Sequence, residues 1–288
     1  VLIGVLASFL GATFQALNYA LTQSCQQKYS IDGVKLLVAV HVCMGFLAVV
    51  PTVLFGYWQL FEPDLAWDFF KINAPYLFAQ YLLINAIRLS DASIASPLLA
   101  LKIPVLAAIS ILFFGAEFTA MQGVSIGLIL TLGWYFSTMS GKINLKPLLL
   151  VLGASLFYSL SDMAITGLSH KLTGSSVVEQ SFITTCLNFV VCGVFSVLMM
   201  KPMQVSLRMT YQAKWVGLAW FVAVIFLIIG FNISGVVSGN VVQSLRGVIG
   251  VMIAFLFFRH QVNQPASIWY KKLIAAAGMV ASVALFYF

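Results

Sequence analysis

Two stretches, ASIASPLLALKIPVLAAISILFFG at 92–115 and VVSGNVVQSLRGVIGVMIAFLFF at 236–258, decide how this chain is read. Each is an apolar run long enough to cross the roughly 30 Å of a bilayer's hydrocarbon as a helix. Each nevertheless carries one cation near its middle, Lys102 in the first and Arg246 in the second. The two stretches also resemble one another, because a shift of 144 residues pairs Leu101-Lys102 with Leu245-Arg246 and Leu112-Phe113-Phe114 with Leu256-Phe257-Phe258.

Working outward, the same shift runs without a gap through the preceding segment, pairing Lys71 with Trp215 and Ser96 with Asn240, and it aligns the second segment with the seventh. Ala7-Ser8 matches Ala154-Ser155 at a slightly different shift. Ten apolar segments bounded by charge, Gly or Pro emerge: 2 to 22, 34 to 57, 73 to 90, 92 to 115, 120 to 138, 147 to 168, 176 to 200, 215 to 234, 236 to 258 and 267 to 287. The expected fold is therefore an all-α integral membrane protein of ten transmembrane helices, a single membrane domain made of two five-helix repeats, 1–142 and 143–288. Since five is odd, the second repeat enters the bilayer inverted, the arrangement that many secondary transporters build around a central cavity. The connections at 89 to 92 and 234 to 237 are short enough to demand tight hairpins. Between Trp58 and Lys71, rings at Trp58, Phe61, Trp67, Phe69 and Phe70 stand among Glu62, Asp64 and Asp68, which suits the headgroup level.

Composition agrees. Of 288 residues, 61% are hydrophobic and only 8% charged, with mean hydropathy +1.02, whereas a soluble domain keeps about a quarter of its residues charged to stay wetted. The net charge of +7 comes from lysines and arginines scattered singly between apolar runs, so no basic face for nucleic acid forms. Cys25, Cys43, Cys186 and Cys192 have no metal-ligand spacing, and neither a disulfide nor a cofactor is implied. The chain opens at Val1, and its first apolar run is too long for a cleaved signal peptide, so it reads as the first span.

The run Pro104-Val105-Leu106-Ala107-Ala108 to Leu112-Phe113-Phe114-Gly115-Ala116-Glu117-Phe118-Thr119 resembles the proline-to-LGE stretch of the drug/metabolite transporter superfamily, in its EamA-like ten-helix branch. The second copy, Val248 to Gln261, departs from it: the proline is missing, Arg259 replaces the glycine, and Gln261 stands where the acid would be. The resemblance implies a carrier in a bacterial inner (plasma) membrane with both termini in the cytoplasm. The charges of this chain point the other way. Lys28, Lys35, Lys142, Lys146, Lys201, Arg208, Lys214, Arg259, Lys271 and Lys272 fall on one side and only Lys71 and Lys171 on the other, with Glu62, Asp64, Asp68 and Glu117, so the positive-inside rule leaves both termini outside.

Ionisable groups at membrane depth cost roughly 3 kcal/mol on insertion scales and are functional candidates by default. Lys102 and Arg246 lie about ten residues into equivalent segments, so repeat symmetry sets them on opposite walls of one cavity. Asp162 is the one clear acid at similar depth. Two cations against one carboxylate leave positive charge over, and the missing negative charge is expected to be the substrate's, a carboxylate, phosphate or sulfonate. The sugar-phosphate translocators of the same superfamily are similar in holding phosphate with basic residues at these two places; the single arginine here departs from them. The alternative makes the set structural, with Asp162 paired to one cation and the other bonded to carbonyls freed at a helix break.

Gln15, Asn18, Gln80, Asn85, Asn188, Asn240 and Gln243 are expected to complete the lining, the last two sharing a helix face with Arg246. For each, an interhelical hydrogen bond is an equal alternative. Tyr81, Tyr158 and Phe14 are candidates to pack on an organic substrate. His41, with Asp162 or Glu179, is a candidate proton-coupling group. Gly123 and Gly127 form a GxxxG that permits close packing within a monomer or in a homodimer. No nucleophile elbow, HExxH, paired aspartates or phosphate loop points to an enzyme. A channel of this size would need oligomeric symmetry around a pore. A carrier of small organic anions is the expectation, with a broad exporter of amino acids or drug-like compounds through an apolar pocket as the runner-up.

Overall fold

A computed structural model describes residues 2–90, 92–114, 117, 119–138, 145–172, 174–257 and 265–285. Within them, regular structure is helix and no strand is present. In order the helices are α1 (Leu2–Tyr29), α2 (Gly33–Leu54), α3 (Ala66–Leu89), α4 (Ala92–Leu98), α5 (Lys102–Phe114), α6 (Ala120–Thr138) and α7 (Leu145–Lys171). There follow α8 (Val177–Met200), α9 (Leu207–Gln212), α10 (Lys214–Ser234), α11 (Val236–Gln243), α12 (Arg246–Phe257) and α13 (Ala266–Leu285). The described part of each of the ten apolar segments is mostly helix. Six helices are long and apolar enough to cross a membrane, namely α1, α2, α7, α8, α10 and Ser267–Leu285 of α13, which is compatible with a multi-pass membrane protein. Their outward faces carry exposed apolar side chains such as Leu2, Phe46, Leu54, Leu149, Leu198 and Ile274, a surface that lipid accepts and water does not.

Local chemistry sets the boundaries. Asp32 caps α2 by accepting the Val34 N–H at 3.0 Å and also holds Arg88, at the end of α3, at 2.8 Å. Ser176 caps α8 and Ser206 caps α9, a short helix the hydropathy pattern gives no sign of. Gly235 reverses the chain between α10 and α11 with φ 82°, which a residue with a Cβ would resist. The 58–71 stretch is two short 3₁₀ turns followed by the start of α3, with Trp58, Trp67 and Phe70 exposed and Phe69 buried. Asp68 there receives Lys71 at 2.7 Å and Lys171 at 2.6 Å, and these two ammonium groups hold its carboxyl below the usual carboxylate range. The two lysines that run against the charge bias thus share one acid. Lys272, counted with the basic side, is instead buried in α13, where it donates to the Ser93 hydroxyl at 2.6 Å.

Segments 92 to 115 and 236 to 258, each read as one helix, are each divided. The first turns 3₁₀ over Leu99–Leu101 before α5 begins. Pro104 explains it, since it has no N–H for the Ala100 carbonyl and its ring crowds that turn. The second breaks at Ser244 and Leu245, where Leu245 N donates to Val242 O and Gly247 N to Ser244 O in three-residue steps, with no proline to force it.

The most extensive packing joins α1 to α10 and α3 to α7, followed by α2 on α8, α6 on α13 and α4 on α12. α2 and α8 cross where a Cβ on Gly45 would lie 2.6 Å from the Gly193 Cα, so only paired glycines allow the approach. α4 and α12 cross where a Cβ on Gly247 would lie 2.9 Å from the Pro97 Cα. Gly123 and Gly127 meet nothing within 4 Å, so the GxxxG of α6 does no packing among the described residues of the monomer. Lys142, Arg259, Gln261, the repeat boundary at 142 and residues 115, 116 and 118 of the proline-to-LGE stretch lie outside the described residues.

Candidate functional site

Lys102 and Arg246 are the first residues of α5 and α12, each immediately after a break, and each is about 96% or more buried. The first break exposes a carbonyl that Arg246 then uses. Arg246 Nη2 donates to the Leu99 carbonyl at 3.0 Å, and the Arg246 carbonyl accepts the Ser96 hydroxyl at 3.0 Å, so the two broken helices are bonded to each other across the molecule. Arg246 Nη1 donates to Gln15 Oε1 at 3.2 Å, which also accepts Gln243 Nε2 at 2.9 Å. Lys102 is paired with Asp162 of α7, and the Asn240 amide reaches the same Asp162 oxygen at 3.5 Å. Both contacts are those the structural alternative expects.

Four polar atoms at this place are nevertheless buried without a partner: Arg246 Nε, the Tyr158 hydroxyl, Gln243 Oε1 and Asn240 Oδ1. Burying such atoms unpaired costs about 1–3 kcal/mol each, so a bound group that satisfies them is favoured. Arg246 has no acidic partner among the described residues. The cavity between these groups has a volume of about 50 Å³ and is lined by Gln15, Lys102, Tyr158, Asp162, Asn188, Gln243 and Arg246 of the expected set. It has room for a few water molecules as it stands, not for a metabolite.

The rest of the expected set is elsewhere. Asn18 donates to the Val216 carbonyl at 2.8 Å and ties α1 to α10. Tyr81 is 39% exposed and faces out, and Asn85 bonds the Tyr81 carbonyl of its own helix at 2.7 Å. Gln80 donates to the Tyr76 hydroxyl at 3.3 Å and stands behind the wall. Phe14 stacks on Phe226 away from the cavity.

The three groups considered for proton coupling are not brought together. His41 Nδ1 meets the Leu37 carbonyl at 2.7 Å and so carries the proton, leaving Nε2 to accept from the Tyr76 hydroxyl at 3.1 Å. It is a histidine hydrogen-bonded at both ring nitrogens, one ring removed from the cavity. Glu179 is a cap, accepting the Ser175 N–H at 2.7 Å while Ser176 accepts the Glu179 N–H at 3.2 Å. Asp162 alone reaches the cavity.

The wall contains residues that the polar pattern does not mark: Tyr19, Tyr76, Phe189 and Trp220. Tyr19 lies one turn from Gln15, and Tyr76 one turn from Gln80, which is the signal that could have found them. No group of three or more His, Cys, Asp or Glu able to hold a metal stands among the described residues.

No family model and no curated protein matches the chain. A solved structure described only as the crystal structure of a protein is similar over 99% of this chain and 94% of its own, with a TM-score of 0.63 and 14% identity. At that identity the likeness shows a shared fold.

Proposed function

We propose that the chain is a secondary carrier with ten spans in two inverted five-helix repeats, moving a small organic anion across a membrane by alternating access. The packing supports the repeat. If α1, α2, α3 and α6 correspond to α7, α8, α10 and α13, the pair α1 with α10 maps onto α7 with α3, and α2 with α8 and α6 with α13 map onto themselves. The two helix breaks stand at positions related by the same 144-residue shift as the two cations.

One packing lacks its counterpart. α4 rests extensively on α12, while among the described residues α5 and α11 share no comparable contact. An inverted-repeat carrier reverses its access by exchanging two such unequal arrangements, so this conformation has the α4–α12 side shut and the cavity contracted.

The observation that carries the anion reading is Arg246, buried and, among the described residues, without an acid and with Nε unpaired in the cavity. Thermal stabilisation of the purified chain by a panel of organic anions, against neutral and cationic compounds, tests it. Anions alone should stabilise, and Arg246→Gln should remove the effect while expression stays intact. Stabilisation by cations or neutral compounds that survives in Arg246→Gln would favour the broad exporter with an apolar pocket.

A further inference from the structure

The cavity wall is chemically two-sided. On one side are two bonded sets, Lys102 with Asp162, and Gln243 and Arg246 on Gln15. On the other, aromatic rings from three helices converge on Trp220 of α10. Tyr19 of α1 stands 6.1 Å from it between ring centroids, Tyr76 of α3 6.2 Å and Tyr158 of α7 6.3 Å. Tyr76 is also 6.4 Å from Tyr158 and 6.2 Å from Phe189. These spacings are those at which rings attract one another edge to face or offset, and all five rings line the cavity.

The helices join the two sides. Gln15 and Tyr19 are one turn apart on α1, as are Tyr158 and Asp162 on α7, so each helix offers a polar and an aromatic group to the same space. At the junction the Tyr158 hydroxyl is buried and unpaired, close in chain and in space to the charged side.

An aromatic box of this kind takes either a cation or another ring. The charges decide between them. Two cations, Lys102 and Arg246, face one carboxylate, Asp162, which is already paired with Lys102, so an ammonium group would enter a positive cavity with no acid left for it. Resting on the reading of the cavity as an anion site, we propose that the substrate class is a planar aromatic or heteroaromatic acid without an ammonium group. Its anionic group meets Arg246 Nε and the Tyr158 hydroxyl, and its ring enters among Tyr19, Tyr76, Tyr158 and Trp220. An aliphatic acid of equal size satisfies the first requirement and not the second.

Phenylacetate and cyclohexylacetate share a carbon skeleton and differ only in the ring, and L-phenylalanine, one chain carbon longer, adds an ammonium. With the full chain in lipid nanodiscs, an equal rise in unfolding temperature should be reached at about tenfold lower concentration of phenylacetate than of cyclohexylacetate. L-Phenylalanine should be the weakest. Trp220→Leu should abolish the preference between the two acids and Trp220→Phe should keep it, which separates a lost ring from a lost fold. Arg246→Gln should abolish binding of both. Equal binding of the two acids, still dependent on Arg246, would overturn the aromatic assignment and leave the anion reading standing. Preference for L-phenylalanine would overturn the charge argument. Stabilisation by neither acid would overturn the anion reading and this assignment with it.

Discussion

Lys102 and Asp162 form an ion pair whose side chains are 4% and 17% exposed, so removing one partner leaves the other charged in a medium that solvates it poorly. Asp162→Asn should destabilise the protein by about 3–5 kcal/mol, read as a lower unfolding temperature, whereas Lys102→Met with Asp162→Leu should recover most of that loss. The double variant also separates the two readings of the site. A structural pair predicts transport near wild type once the fold is restored; a substrate site predicts a folded protein without transport. At this scale the sequence is legible in depth and poor in direction. Counting from the segment ends groups Lys102, Arg246 and Asp162, and all three line one cavity. On α3, Tyr81 and Asn85 stand five and nine residues after Tyr76, which at 100° per residue turns them about 140° and 180° from the wall that holds Tyr76. Glu179 carried a warning, because Ser176 three residues before it is the capping-box spacing that marks a helix start rather than membrane depth.

Between elements, the glycines separate into those that packing needs and those it does not. Gly45→Ala should cost about 1–3 kcal/mol, since its Cβ would meet the Gly193 backbone at 2.6 Å and α2 and α8 must part. Gly123→Ala and Gly127→Ala should be neutral or stabilising by up to about 1 kcal/mol each, through helix propensity alone. Thermal unfolding of the three variants checks both statements, and a destabilised Gly123→Ala in a protein that has lost an oligomer would assign α6 to contacts between copies. The long apolar helices, six of them long enough to cross a membrane, are legible because hydropathy over about twenty residues is a local property of the sequence. The breaks were half legible. Pro104 announces the first, but the second depends on how α12 is held against α4 through Ser96, Pro97 and Leu99, contacts about 150 residues apart in sequence.

For the molecule as a whole, access to the cavity should depend on parting α4 from α12. A Cβ on Gly250 would lie 3.1 Å from the Ser96 Cβ, close to disulfide range, so Ser96→Cys with Gly250→Cys should crosslink on oxidation. Transport should stop in the oxidised protein and return on reduction; undiminished transport in the crosslinked form would show that this crossing is not a gate. The central claim, that the molecule is an anion carrier built around Arg246, is tested most directly by counterflow. Proteoliposomes are preloaded with the unlabelled organic anion that stabilises the protein best and given the same anion, labelled, outside. The account predicts saturable uptake accelerated by the internal anion and absent in Arg246→Gln. Uptake that rises linearly without acceleration, or that Arg246→Gln leaves unchanged, would contradict it.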